Sequence, residues 1–159
     1  MEAARLAAPS DVERLVELAS SVRQELGGEE RGGRLLIARD APVPVDASAL
    51  KGMLDRDDHI VVVGTLDDSV IGHAIGRVEI VRDGSPLGII DELYVELGGR
   101  EVGVGEAMMA LLLPWFAERR CRGVDAMALP GVRATKNFFE MSGFSARLIV
   151  MHHRFDRAT

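Results

Sequence analysis

Residues 89–109, read as IIDELYVELGGREVGVGEAMM, change their hydrophobic period halfway along, and this constrains the fold more than any other feature. The first nine residues, 89–97, are rich in β-branched and aromatic side chains, as in a strand. Gly98 and Gly99 interrupt them. From Val104 the apolar positions Val104, Ala107, Met108, Leu111, Leu112, Trp115 and Phe116 recur at i, i+3, i+4, i+7, the spacing of a helix face. Between strand and helix lies Arg100-x-x-Gly103-x-Gly105. A helix N-terminus carries unpaired N–H groups and the positive end of the helix dipole. Glycines there let an anion approach the backbone closely. The stretch therefore predicts a strand, a diphosphate cradle and a long helix.

The flanking sequence predicts what surrounds this unit. Residues 2–7 form a short strand. A helix follows, with Ser10 and Glu13 as a capping box and Val12, Leu15, Val16, Ala19, Val22 and Leu26 as its apolar face. Gly27-Gly28 ends it. Residues 29–46 bear glycine and proline and predict an ordered loop with a short helical turn. Loops of this length in compact domains are often functional. A brief helix is expected over residues 47–54. Strands over 59–66 and 70–81 flank an Asp67-Asp68-Ser69 turn, with Gly72 and Gly76 marking bulges or close backbone approach. Asp83-Gly84 turns the chain into the central strand, so an antiparallel meander precedes the glycine turn. After the long helix, which contains Pro114, a strand is expected over 124–129. Pro130-Gly131 leads into a helix with Ala134, Phe138 and Met141 on one side and Gly143 as its C-terminal cap. Residues 144–155 close the chain as a last strand. The 159 residues are 47% hydrophobic, enough for one domain with its own core, and the whole of 1–159 is expected to be that domain.

Bulk properties narrow the function. A net charge of −6 with no basic run argues against nucleic acid as a partner. No apolar run approaches the ~18 residues of a membrane span, and no signal-peptide layout is present. One cysteine excludes an internal disulfide and makes a cytoplasmic location the default. The histidines and the single cysteine have no metal-ligand spacing, so no metal is expected. A dinucleotide fingerprint would need G-x-G-x-x-G. Here Met108 stands where the third glycine belongs. Asp125 lies at the distance of a ribose-binding acid, but antiparallel hairpins precede the turn.

The order β-α-α-β-β-β-α-β-α-β resembles the Gcn5-related N-acetyltransferase (GNAT) superfamily over nearly the whole chain. Three linked motifs carry the resemblance: Leu93-Tyr94-Val95, the Arg100-x-x-Gly103-x-Gly105 turn, and Phe139-Glu140-Met141-Ser142-Gly143-Phe144. The resemblance implies an α/β (α+β) fold with a mixed, mostly antiparallel sheet, flanked by helices and splayed between its fourth and fifth strands. It implies acetyl transfer from acetyl-CoA to a primary amine by direct attack, with a small cationic amine as acceptor and a homodimer as a plausible assembly. Acetylation of a protein lysine or N-terminus, and a non-catalytic acyl-CoA-binding module, are the competing readings. Leu93, Tyr94 and Val95 would line pantetheine with their backbone. Arg100, Glu101, Val102, Gly103, Val104, Gly105 and Glu106 would hold the pyrophosphate, with Lys136 and Arg133 near the nucleotide's phosphates.

By the same resemblance, Asp91 is the acidic residue four before the strand-end valine, and Glu92 matches an acid that helps bind cationic acceptors. Adjacent strand residues normally face opposite sides, unless a bulge intervenes. A carboxylate deprotonates an ammonium only through water or when burial raises its pKa. Phe139 stands where the family usually has a tyrosine general acid, and Val132 where many members have asparagine. Phenylalanine has no proton to give. His73, His152 and His153 are expected on strands bordering the acceptor groove, and His59 at an exposed strand start. Cys121 is expected to be packed rather than nucleophilic.

Overall fold

The computed structural model describes residues 1–29, 31–41, 46–129 and 132–155. Its elements are β1 (Glu2–Leu6), α1 (Val12–Gly27), α2 (Gly33–Leu35), α3 (Ala47–Leu54), β2 (His59–Leu66), β3 (Ser69–Ile80), β4 (Pro86–Val95), α4 (Val104–Glu118), β5 (Val124–Ala126) and α5 (Arg133–Met141). The five strands lie in sequence order in one sheet. β1 to β4 pair antiparallel, and β5 pairs parallel to β4. The mixed sheet flanked by helices is the fold the sequence predicts.

Two apolar layers cover the sheet. On one face Val61, Val63 and Ile75 pack with Val12 and Leu15 of α1 and Leu50 of α3. On the other, Ile60, Val62, Ala74 and Ile90 pack with Met108, Leu112 and Phe116 of α4. Burying one such side chain contributes roughly 1.5–3 kcal/mol. Period-2 alternation along β2 and β3 assigns these faces. Gly64 brings α4 close, because a Cβ there would lie 2.4 Å from Val104 Cγ1.

The turns follow the sequence. Asp67 and Asp68 take positive φ, 47° and 66°, as a two-residue hairpin turn requires. Asp83 accepts from the Ser85 N–H at 2.9 Å and Gly84 has φ 85°. Gly143, at φ 90°, ends α5, and the Phe144 N–H bonds back to the Phe139 carbonyl at 3.0 Å. Asp46 caps α3 by accepting from the Ala49 N–H at 2.7 Å.

Several expectations need correction. Ser10 and Glu13 do not cap α1. Asp11 stands at the N-cap position, but its side chain turns away from the helix, accepting from the Ala8 N–H at 2.8 Å and from Arg5 at 2.7 and 2.9 Å. Its carboxyl is held below its ordinary range, first by the Arg5 hydrogen bond. The buried side of α5 is Phe139 with Phe138, whereas Ala134 and Met141 are exposed. Residues 29–46 supply α2 and a π-turn over Leu36–Asp40. The part of that loop over residues 42–45, and Pro130-Gly131, lie outside the described residues. The central strand starts three residues earlier than expected, at Pro86, and ends at Val95. β5 stops at Ala126 rather than at residue 129. The final strand over 144–155 does not form: the backbone there has no strand pairing among the described residues. High β-propensity does not make a strand without a ladder partner.

Candidate active site

β4 and β5 share only three register pairs, Gly88↔Val124, Ile89↔Asp125 and Ile90↔Ala126. Beyond Ile90 the β5-facing edge of β4 has no strand beside it among the described residues. That is the predicted splay, and Leu93, Tyr94 and Val95 lie along the open edge. At this point β4 also changes its pairing with β3. Ile75 pairs with Glu92, but Gly76 pairs with Ile90, so Asp91 is an extra residue opposite the Ile75/Gly76 junction. This bulge answers the question of facing that the sequence left open. Glu92 and Tyr94 share register with Ile75 and His73, on the α1 face. Asp91 reaches Arg77, which follows Ile75 by two residues and so faces the same way. Both carboxylates therefore lie on the α1 side.

Their surroundings differ. Glu92 is buried, with one oxygen 2.8 Å from His73 Nε2 and the other 3.1 Å from an Arg23 terminal nitrogen. His73 is fully buried, and its Nδ1 has no hydrogen-bond partner among the described residues. The Nε2–H tautomer gives Glu92 its bond and leaves Nδ1 as a lone pair, which is cheaper to bury unpaired than an N–H. Asp91 is partly covered and accepts from Arg77 Nε at 2.9 Å. Burial pushes its pKa up, and the Arg77 charge only partly opposes that.

The next residues tie β4 to α1. The Tyr94 hydroxyl donates to Glu25 Oε1 at 2.9 Å, and burial raises its pKa, so it stays a phenol. Arg100 donates to Glu25 Oε2 at 2.7 Å and from Nε to the Val95 carbonyl at 2.7 Å. Its guanidinium lies 5.5 Å from the Tyr94 ring centroid. Arg100 thus braces the end of β4 against α1.

The turn into α4 can hold a diphosphate through its backbone. Glu101 and Gly103 take left-handed φ, 66° and 91°. The Ala107 N–H is bonded back to the Gly103 carbonyl at 2.9 Å. The N–H groups of Val104, Gly105 and Glu106 precede it in the first helical turn, where no intrahelical acceptor exists. Glu101, Val102 and Glu106 are exposed at this end. Gly105 also has a packing reason to be glycine. A Cβ there would come within 2.9 Å of Phe138, so its absence serves helix packing.

The other expected residues lie elsewhere. Phe139 is buried in the α4-side core, with ring centroids 5.5 Å from Phe138 and 5.2 Å from Phe144. Lys136 is exposed and pairs with Glu140 at 3.3 Å. His152 and His153 lie on the exposed segment after α5, not on a strand beside the groove. His59 is mostly covered rather than exposed, with Nδ1 2.8 Å from Asp58. Cys121 is half-buried and burial raises its thiol pKa, as a packed cysteine requires. The sequence reading missed Arg23 and Glu25. Arg23 follows Ala19 by four and so continues the apolar stripe of α1. A charge on a core-facing stripe was the available signal.

Comparison with known proteins agrees with this fold. The model of the acetyltransferase (GNAT) family matches residues 27–144. No curated protein sequence is significantly similar. Among solved structures, AAC(6')-Iy in complex with a CoA-S-monomethyl-acetylneamine bisubstrate analogue superposes with a TM-score of 0.72 at 17% identity, covering 99% of each chain. Glucosamine-6-phosphate N-acetyltransferase from Arabidopsis thaliana gives 0.69 at 18%, covering 98% of this chain and 99% of the other. The aminoglycoside acetyltransferase meta-AAC0020 from an uncultured soil metagenomic sample gives 0.70 at 16%, covering 99% and 97%. At these identities the likeness is one of fold.

Proposed function

Because the chain belongs to the acetyltransferase (GNAT) family, we propose that it moves an acetyl group from acetyl-CoA to a primary amine of a small cationic acceptor, with Asp91 as the base. One observation carries this reading: the β4 bulge puts Asp91 and Glu92 together on the α1 face, at the start of the unpaired β4 edge.

Acetyl-CoA supplies an activated acyl group when bound. The N–H groups of Val104, Gly105 and Glu106 suit its diphosphate, and the open backbone of Leu93, Tyr94 and Val95 suits an extended amide chain. Lys136 lies on α5, with its charge available to a nucleotide once it leaves Glu140. Arg100 acts by fixing the end of β4 rather than as a free cation.

Asp91 accepts a proton, directly or through one water. Burial raises its basicity toward that of the amine it serves. Its negative charge also attracts a cationic acceptor before the proton leaves. Glu92 does not take the proton. It neutralises Arg23 and orients His73, and so fixes the strand on which Asp91 sits. Phe139 lies in the core and gives no proton, so the departing thiolate takes its proton from water.

The test is release of free CoA thiol with a panel of diamines, amino sugars and lysine peptides. Turnover is expected with small amines carrying a second positive charge. Tight acetyl-CoA binding without turnover on any amine would replace this reading with an acyl-CoA-binding module.

A further inference from the structure

Acetyl transfer to an ammonium leaves a proton behind. The ammonium gives up two protons, the departing thiolate takes up one, and one remains from each turnover. Asp91 receives a proton and must lose it before the next acceptor arrives. Its side chain is only 14% exposed, and Arg77 Nε donates to its Oδ2 at 2.9 Å. A guanidinium is already fully protonated and takes no proton from a neighbour.

The start of β2 supplies a base on the same face. His59 has the parity of Val61 and Val63, which pack on the α1 side of the sheet. It pairs in register with Arg77 of β3, the residue that holds Asp91. β2 and β4 are two strand spacings apart, about 10 Å between backbones, a gap that two inward side chains and bridging water span. A charge on His59 is near enough to lower the Asp91 pKa, against the larger effect of burial.

His59 is prepared to act as a base. Asp58 Oδ1 lies 2.8 Å from its Nδ1. The carboxylate keeps the ring proton on Nδ1 and leaves Nε2 as a lone pair. Asp58 is itself fixed. Arg56 donates to both of its oxygens at 2.8 Å, and its carbonyl accepts from the Val78 N–H of β3 at 2.9 Å. Arg56 first, then His59, hold the Asp58 carboxyl well below the usual carboxylate range, so it stays ionised and steadies an imidazolium beside it. The His59 side chain is 13% exposed, which keeps it in touch with water.

We propose that the Asp58–His59 pair takes the proton from Asp91 through bridging water and hands it to solvent, a role that rests on the acetyl-transfer reading. The Asp91 O–H bond breaks, an N–H bond forms at His59 Nε2, and the ring then releases that proton to bulk water. Asp91 returns to the carboxylate. The charges around the ring favour transit over storage. Asp58 and Asp91 attract the imidazolium, and Arg77 across the ladder repels it. Glu79, 4.0 Å from an Arg77 terminal nitrogen, offsets part of that repulsion. Arg56 is engaged by Asp58, and Arg23 of α1 is turned to Glu92. Asp58 and His59 do not touch the acceptor; they act through Asp91.

The test is steady-state thiol release by His59→Gln across pH, with and without added imidazole. Glutamine keeps a partner for Asp58 but cannot carry a proton. The variant should lose about 10²-fold in kcat, the low end for a positioned proton-transfer group, with KM for the amine unchanged. Imidazole should restore its kcat saturably and leave wild type unaffected. The acidic limb of its pH–rate profile should move to higher pH, because His59 no longer lowers the Asp91 pKa. His153→Gln, on the exposed segment after α5, should match wild type. Two spectra of the full chain need no turnover. The ¹⁵N signals of His59 should show the proton on Nδ1, and the ¹³C carboxyl signal of Asp91 should titrate at higher pH in His59→Gln than in wild type. Wild-type kcat in His59→Gln, a loss that imidazole does not restore, or a rise in KM alone overturns the relay. So does a His59 proton on Nε2 or an Asp91 titration that stays put. These results leave acetyl transfer standing, whereas wild type that turns over no amine removes that reading and the relay with it.

Discussion

Replacing Asp91 and Glu92 one at a time should separate chemistry from support. Glu92→Gln keeps the shape of the side chain but removes the charge between Arg23 and His73. A charge pair at ~4 Å in an effective dielectric of about 20 is worth roughly 4 kcal/mol, and breaking a buried pair from one side costs about 3–5 kcal/mol. Arg23 keeps some access to water, with its side chain 16% exposed, so the lower end applies. A loss of about 3 kcal/mol should lower Tm by roughly 6–12 °C in a domain of this size.

Asp91→Asn should behave in the opposite way. The folded pKa of Asp91 is raised by burial. Its contribution to stability is therefore full below its ordinary pKa of 3.8 and lost as pH rises through the folded value. At neutral pH the ionised group is a burden that asparagine relieves, so Tm should hold or rise slightly. Turnover should fall by about 10²–10⁴-fold, the usual contribution of a general base, and the acidic limb of the pH–rate profile should disappear. Differential scanning fluorimetry and thiol release on the same preparations decide the matter. The reasoning fails if Glu92→Gln melts like wild type while losing turnover, and Asp91→Asn turns over normally.

Gly64→Ala should lower Tm by a few degrees and raise KM for acetyl-CoA. Its Cβ would sit 2.4 Å from Val104 and 3.1 Å from Met108, and such overpacking typically costs 1–3 kcal/mol. Titration calorimetry with CoA checks whether the glycine turn shifts with the helix. Asp11→Asn should destabilise at pH 7 by about 1 kcal/mol, discounted because Arg5 is half exposed. The native Asp11 pKa is lowered, so that stabilisation is present above 3.8 and fades as pH falls through the folded value. Urea melts of wild type and variant should therefore converge at acid pH.

What the sequence made legible was local. Asp67-Asp68 and Asp83-Gly84 carry their turn geometry in their own residue types, and the shift from period 2 to 3.6 around Arg100 needs no partner to be recognised. What remained closed depended on distant neighbours. Whether residues 144–155 pair depends on an edge elsewhere. Gly105 is glycine because Phe138, thirty-three positions on, presses against it. Arg23 is drawn inward by Glu92, which no periodicity of α1 contains. The facing of Asp91 depended on its register with β3, and β4 does not encode that register alone.

The bulge at Asp91 works as a frameshift in a two-letter code. Up to Ile90 the strand spells one parity, with Gly88 and Ile90 toward α4. After the extra residue Leu93 and Val95 carry that facing, while Glu92 and Tyr94 look the other way. Pairing Asp91 instead of Glu92 with Ile75 would leave every later side chain chemically intact and send each to the wrong side: Glu92 would enter an apolar layer and Val95 would leave it. Deleting Asp91 itself closes the bulge and keeps Glu92 opposite Ile75, so the later facing survives. Deleting a residue beyond it, such as Leu93, turns Tyr94 toward α4 and Val95 away from it. A library of single-residue deletions scored for folded yield should show residues 93–95 as less tolerant than Asp91.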